Sequence, residues 1–250
     1  MPIDVDMQRA MRGRSATAWV TGRPSKLALM PRGGTAADVR WFEHDPRHMF
    51  HQLNVWEEDG KIIADVAAAD RTALFPDQDG NRLTHAQARQ NLRRWTIDPA
   101  ASTNTIREDV LNERDIQFPR PDDRMMTRKT RYGFANINLK SADGRVDGMD
   151  VAIRFDTLTG AEDIFHFGAS AAVGEVVFAP RIGVQGEADG YAMALVHPAN
   201  SPTSQLVIFD AATIAAGPLA PIHIPFRVPS GFHCNYYSAD SGLYRQALAA

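Results

Sequence analysis

Apolar residues along this chain fall in short runs that polar or turn-forming residues interrupt, and none of the runs has the length of an ordinary helix. Lys26–Met30, Lys61–Val66, Met149–Phe155, Glu175–Ala179, Tyr191–Val196 and Gln205–Phe209 are brief, apolar-rich and bounded by Gly, Pro, Asp or Asn, the signature of strands. Between them recur Asp59-Gly60, Asp79-Gly80, Asp143-Gly144, Asp147-Gly148 and Asp189-Gly190. Asp-Gly pairs supply the positive φ angles that tight hairpins need. Many short strands joined this way predict an all-β barrel, sandwich or propeller. One interval departs from the pattern. In Thr84–Arg94, Thr84 is a candidate cap and Ala86, Ala88 and Leu92 form an apolar face, so a single short helical excursion is expected. Two segments look like copies of one unit: Phe155-Asp156-x-x-Thr159-Gly160 and Ile208-Phe209-Asp210-Ala211 each end a strand on Asp and enter a turn.

Composition narrows the function classes. Hydrophobic residues make up 44% and charged residues 23% of 250, a globular balance sufficient for one substantial core. A net charge of −3 advertises no polyanionic partner, so nucleic acid is a poor first reading. Cys234 is the single cysteine; it rules out an internal disulfide framework or a cysteine-rich zinc site and fits a reducing cytoplasm. Met1–Ser15 has no apolar run, and Ala211–Val228 is broken by Pro218, Pro221 and Pro225. A cytoplasmic protein without a transmembrane segment is expected.

The candidate chemistry lies in eight histidines. His44, His48 and His51 form the densest cluster, and neutral imidazole is a common ligand for iron, zinc and copper. His44 and His48 flank Asp45-Pro46-Arg47 and read as a solvated polar turn. A zinc hydrolase built on the cluster is disfavoured, because Pro46 interrupts the helix it needs and no His-Glu-x-x-His pattern occurs. His51 starts a strand among bulky neighbours, and the residues alone leave two readings open: a satisfied core histidine or a metal ligand. His233 ends Pro225-Phe226-Arg227-Val228-Pro229-Ser230-Gly231-Phe232-His233, whose prolines and glycine stiffen the backbone for an aimed side chain or for a closing turn.

Several stretches, in order, carry a resemblance. They are Met30-Pro31-Arg32-Gly33-Gly34, Asp38-Val39-Arg40-Trp41-Phe42, Phe50-His51-x-x-Asn54-x-Trp56-Glu57, Leu92-x-Arg94-Trp95-x-x-Asp98 and Phe118-Pro119-Arg120. Arg131-Tyr132-Gly133, Gly174-Glu175-x-x-Phe178-x-Pro180-Arg181, Glu187-x-Asp189-Gly190-Tyr191 and Arg227-Val228-Pro229-x-Gly231-Phe232-His233 follow. From about Trp19 to Tyr237 the chain resembles the C-terminal half of the carotenoid cleavage oxygenase family. Asp38–Phe42 and the loop from Phe75-Pro76 to Asp79-Gly80 lean toward its bacterial, lignostilbene-cleaving members. The resemblance implies that residues 19–250 are the C-terminal blades of a seven-bladed β-propeller and that residues 1–18 are an N-terminal extension. It also implies an Fe(II) ion held by four histidines, of which His51 and His233 are the third and fourth. The first two would belong to a complementing N-terminal half. Glu175 matches the glutamate that holds His233, whereas the residue that should hold His51 is Gln117, which lacks the charge. The implied reaction is O₂-dependent cleavage of a conjugated C=C bond into two carbonyls. The substrate would be a small hydrophobic molecule, a phenolic stilbene first and an apocarotenoid second. Phe118, Phe165, Phe232 and Trp56 are candidate wall residues, each equally readable as plain core. The competing reading is a truncated, non-catalytic propeller remnant that serves as a binding scaffold.

Overall fold

Residues 1–137, 149–168 and 171–242 are described by the structure, a computed structural model of the chain. Ile3–Val5 (β1) and Thr17–Trp19 (β2) pair antiparallel around one short helix, Met7–Met11 (α1), which Asp6 caps by accepting from Gln8 N–H. Residues 1–18 are thus closed onto Trp19, whose N–H donates to Pro76. Ser25–Leu29 (β3) and Arg40–His44 (β4) form a second small ribbon.

Three larger antiparallel sheets follow, two of them simple meanders and the third a meander whose opening edge is split into two strands. The first is His48–Glu58 (β5), Lys61–Ala69 (β6), Asn91–Ile97 (β7) and Ile106–Asn112 (β8). The second is Ile116–Arg120 (β9), Tyr132–Ile137 (β10), Val151–Asp156 (β11) and Glu162–His166 (β12). In the third, Ala171–Val173 (β13) and Val177–Pro180 (β14) both pair with Gly190–Pro198 (β15), which continues to Ser204–Asp210 (β16) and Ala220–Ile224 (β17). The chain is nearly all β, as the short apolar runs imply. The β5–β6 hairpin turns on Asp59 and Gly60 at φ 52° and 74°, a double positive-φ turn that matches the strand twist.

The suspected repeat is real and threefold. The third strand of each sheet runs out through an apolar residue into an aspartate at or just past its end, Ile97-Asp98, Phe155-Asp156 and Phe209-Asp210. Each carboxylate accepts the backbone N–H two residues on, from Ala100, Leu158 and Ala212 at 2.9 Å. The aspartate therefore builds its own turn into the fourth strand.

The core lies between neighbouring sheets. Leu53, Leu92, Ile116, Ile153 and Phe155 join the first sheet to the second, and Phe134, Val176, Phe178, Phe209 and Ile214 join the second to the third. Two motif residues serve these joints. Gly190 opens β15, where a Cβ would overlap the Ala179 carbonyl and the Phe178 ring. Asn54 is buried on β5, donates to the carbonyls of Met125 and Arg128, and accepts from Thr127 N–H, which pins a turn where Thr127 has φ 66°.

Three expectations need correction. Thr84–Arg94 is not a helix: His85–Ala88 is one 3₁₀ turn capped by Thr84, and Asn91 already starts β7. Pairing of residues 91–97 with β6 and β8 outweighs a weak apolar face. His44 and His48 are not solvated. The His44 ring stacks on Trp95 beside Glu108, and His48 is 4% exposed at the start of β5. Asp189-Gly190 is not simply a hairpin turn, since Gly190 is a strand residue. Asp143-Gly144 and Asp147-Gly148 lie outside the described residues. No described helix is long and apolar enough to cross a membrane.

Candidate metal centre and adjoining cavity

The first strands of the large sheets bring their side chains to one place. His51 lies on β5, flanked by two bulges, with irregular pairing between Met49 and His51 and again between Gln52 and Asn54. Bulges re-aim side chains, and opposite His51 the partner strand carries only alanines, Ala67-Ala68-Ala69. Phe118 lies on β9, which packs beside β5, at the unusual φ of 50°. Glu175 sits between β13 and β14; the preceding Gly174 donates its N–H to Leu195 and accepts at its carbonyl from Asn136 of β10.

The segment that carries His233 is fastened at both ends. Arg227 donates to the carbonyls of Pro198 and Ser201, and Val228 N–H donates to Ser204, whose hydroxyl also bonds the His197 ring. Beyond it, Glu175 accepts from the His233 ring at 3.1 Å and from Cys234 N–H at 2.6 Å. Arg120 donates to Glu175, to the Cys234 carbonyl and to Asn235. A carboxylate only accepts, so His233 carries its proton on Nδ1 and leaves the Nε2 lone pair available.

His51 and His233 meet across 182 sequence positions, with ring centroids 5.4 Å apart and planes at 69°. The Phe118 ring touches both, at 4.8 Å and 5.3 Å. Both His51 ring nitrogens are buried and without a hydrogen-bond partner. Burial, reinforced by neighbouring His233, pushes the His51 imidazole down to about 4, so it is neutral with a lone pair to offer at physiological pH. An orphaned buried imidazole beside a second one of fixed tautomer is a donor set that fits a metal ion. It is incomplete: among the described residues no group of three or more His, Cys, Asp or Glu side chains is placed to hold one.

A cavity of about 250 Å³ opens beside His51, bounded by Phe50, Leu74, Phe118, Met149 and Phe232 and by the polar Thr72, Gln90, Asp115 and Gln117. Phe118 and Phe232 thus line this cavity, whereas Trp56 and Phe165 do not. Trp56 is core on β5, covered by the Arg94 guanidinium and bonded to Glu58. Phe165 packs with Phe167 and Phe209 in the third-sheet core. Alternation from the bulged region turns Trp56 away, and β12 is the strand of its sheet furthest from β9. Gln117 does not reach His51: it accepts from Gln90 and donates to Asp115. Sequence reasoning missed Gln90, Asp115, Leu74 and the role of Arg120. The last was legible as a cation in a motif between two aromatic or proline positions, but loop residues 72–74 gave no signal.

The family model described as "RPE65: Retinal pigment epithelial membrane protein" matches residues 1–238. Lignostilbene-alpha,beta-dioxygenase isozyme III of Sphingomonas paucimobilis is 32% identical over 258 residues, covering 96% of this chain and 52% of that protein. The crystal structure of Pseudomonas brassicacearum lignostilbene dioxygenase superposes with a TM-score of 0.86 at 30% identity, over 95% of this chain and 52% of the other. A cobalt-substituted Synechocystis apocarotenoid oxygenase gives 0.79 at 27% identity, over 92% and 48%. The chain spans about half the length of the curated relatives it matches. It belongs to the RPE65, or carotenoid cleavage oxygenase, family of enzymes.

Proposed function

We propose that this chain supplies the C-terminal blades of a seven-bladed propeller, and two of four histidines, to an Fe(II)-dependent oxygenase that cleaves a conjugated C=C bond of a stilbene or apocarotenoid. The observation that carries the reading is the meeting of His51 and His233, one with both nitrogens unpaired and the other oriented by buried Glu175. His51 and His233 would hold the ion, which when bound supplies activation of O₂ toward the alkene. The chain's own residues do the rest. Glu175 keeps the His233 proton on Nδ1, and burial keeps His51 neutral. Phe118 packs against both rings and covers His51, and the cavity along Phe50, Phe118 and Phe232 receives an apolar substrate.

The test measures iron and aldehyde formation from a stilbene under O₂. It uses the 250-residue chain alone and together with a complementing N-terminal half. The expected result is near-stoichiometric iron and turnover in the complemented form. Absence of iron in both forms overturns the reading and favours the non-catalytic remnant, with which the bonding of Gln117 to Gln90 and Asp115 rather than to His51 also agrees.

A further inference from the structure

His233 rides on a segment that has no regular structure of its own. β17 ends at Ile224, and no residue from Pro225 to Tyr237 joins a strand or a helix. The His233 side chain is 56% exposed, so neither sheet pairing nor burial fixes its direction. Upstream the strap is fastened at Val228; downstream its contacts converge on one cation. Arg120, the last residue of β9, donates from Nη1 to Glu175 Oε2 at 3.3 Å and to the Cys234 carbonyl at 3.0 Å. Its Nη2 donates to Asn235 Oδ1 at 3.2 Å and to the two Asp123 carboxylate oxygens at 3.1 Å and 3.2 Å. One planar group therefore joins the end of β9, the Glu175 corner and the two residues that follow His233.

The geometry asks for a guanidinium and not merely a positive charge. Its donors lie in a fixed plane, so Glu175, Cys234 and Asn235 are set relative to one another, whereas an ammonium is a point charge on a flexible stem. Glu175 is buried, and Arg120 is the only Lys or Arg in an ion pair with it among the described residues. Losing that partner strands a buried carboxylate, the costly way to break such a pair. Arg120 and Cys234 N–H together occupy Glu175 Oε2, which leaves Oε1 for the His233 ring at 3.1 Å. β9 thus holds His233 from two sides, with the Phe118 ring against the imidazole and Arg120 against the backbone behind it. We propose that Arg120 is a positioning residue of the candidate metal centre. Its fork clamps the strap to Glu175, so that His233 keeps both its direction and the Nδ1 proton that frees Nε2 for a metal. The inference rests on the reading of His233 as a metal ligand for its functional consequence.

The test takes two readouts from the metal-free 250-residue chain. Cys234 is the single cysteine, so its rate of modification by a small disulfide reagent reports the strap beside His233. Histidine ¹⁵N shifts report the His233 tautomer, which a released imidazole no longer keeps. In Arg120→Gln the thiol should react roughly tenfold faster or more, the scale of losing hydrogen bonds to a charged group, and His233 should populate both tautomers. Arg120→Lys keeps the charge, and with it the fold, but not the fork; it should still react about threefold faster, with a mixed tautomer. Arg124→Gln breaks a neighbouring guanidinium's bonds to Asp122, Val184 and Gly186 and should lower stability while leaving both readouts unchanged. Parental rate and a pure Nδ1–H tautomer in Arg120→Gln or in Arg120→Lys overturn the inference, as does an equal response in Arg124→Gln. Iron content of the chain with its complementing half, measured separately, judges the oxygenase. Iron without a response to the Arg120 variants sinks the clamp alone, and a response without iron sinks the oxygenase alone.

Discussion

Glu175→Gln tests whether the buried carboxylate orients His233 or merely fills space. Glu175 is 1% exposed and receives three donors: the His233 ring, Cys234 N–H and Arg120. Glutamine has the same shape but one acceptor and one donor end. Its carbonyl satisfies most partners by facing Cys234 and Arg120, which turns the amide NH₂ toward His233 Nδ1. The imidazole must then accept at Nδ1 and carry its proton on Nε2, the opposite tautomer. The fold loses little, about 1 kcal/mol, because Arg120 keeps Asp123, Asn235 and the Cys234 carbonyl. Restoring a free Nε2 lone pair would require donor to face donor at the buried position 175, at about 2–3 kcal/mol. That corresponds to roughly 30-fold to 150-fold weaker metal binding, in line with the effect of losing such partners elsewhere. Histidine ¹⁵N chemical shifts of the metal-free protein report the tautomer directly, and chelator competition reports the affinity. An Nδ1–H tautomer in Glu175→Gln with metal affinity within threefold of the parent would refute the reasoning.

Two further predictions concern the scaffold. Burial pushes the Glu108 carboxyl up, but hydrogen bonds from Arg47, Trp95 and Arg93 outweigh it and hold the group at about 2 against an ordinary 4.5. The folded value is the lower, so its stabilisation is present above 4.5 and lost as pH falls from there toward 2. It amounts to about 3 kcal/mol. Urea unfolding of Glu108→Gln should show a deficit of that order at pH 7 that closes by about pH 2; a pH-independent gap would contradict it. Gly190→Ala should cost about 3 kcal/mol or more in the same assay, since its Cβ meets backbone and a packed ring with no room to yield. A loss under about 1 kcal/mol would show that β14 and β15 are free to separate.

The strand-rich architecture was legible because apolar runs and Asp-Gly turns are local signals. The repeat was half legible: Asp156 and Asp210 announced their corners, while Asp98 escaped notice because Pro99 disguises the same turn. The helical reading of Thr84–Arg94 failed where pairing partners distant in sequence decided the outcome. At the site, His51, His233 and Glu175 could be named from motifs, but their meeting is a long-range fact of sheet stacking. Trp56 and Phe165 show the limit of the same method. Nearness to a motif in sequence says nothing about the facing of a side chain once bulges shift the alternation. The Gln90–Gln117–Asp115 chain links the residue before β7 with the residue before β9 and one within it, and no short window of sequence contains it.

His51 and Phe118 lie on the opening strands of two successive meanders, and Glu175 lies between the two short strands that open the third. Under the proposed function each copy would take a different part: electron-pair donor at His51, cavity wall at Phe118 and proton holder at Glu175. A repeated fold of this kind can change chemistry by editing one residue per copy while the corners and sheets that support it stay untouched. Exchange of whole meanders between relatives would consequently transplant one component of the centre at a time.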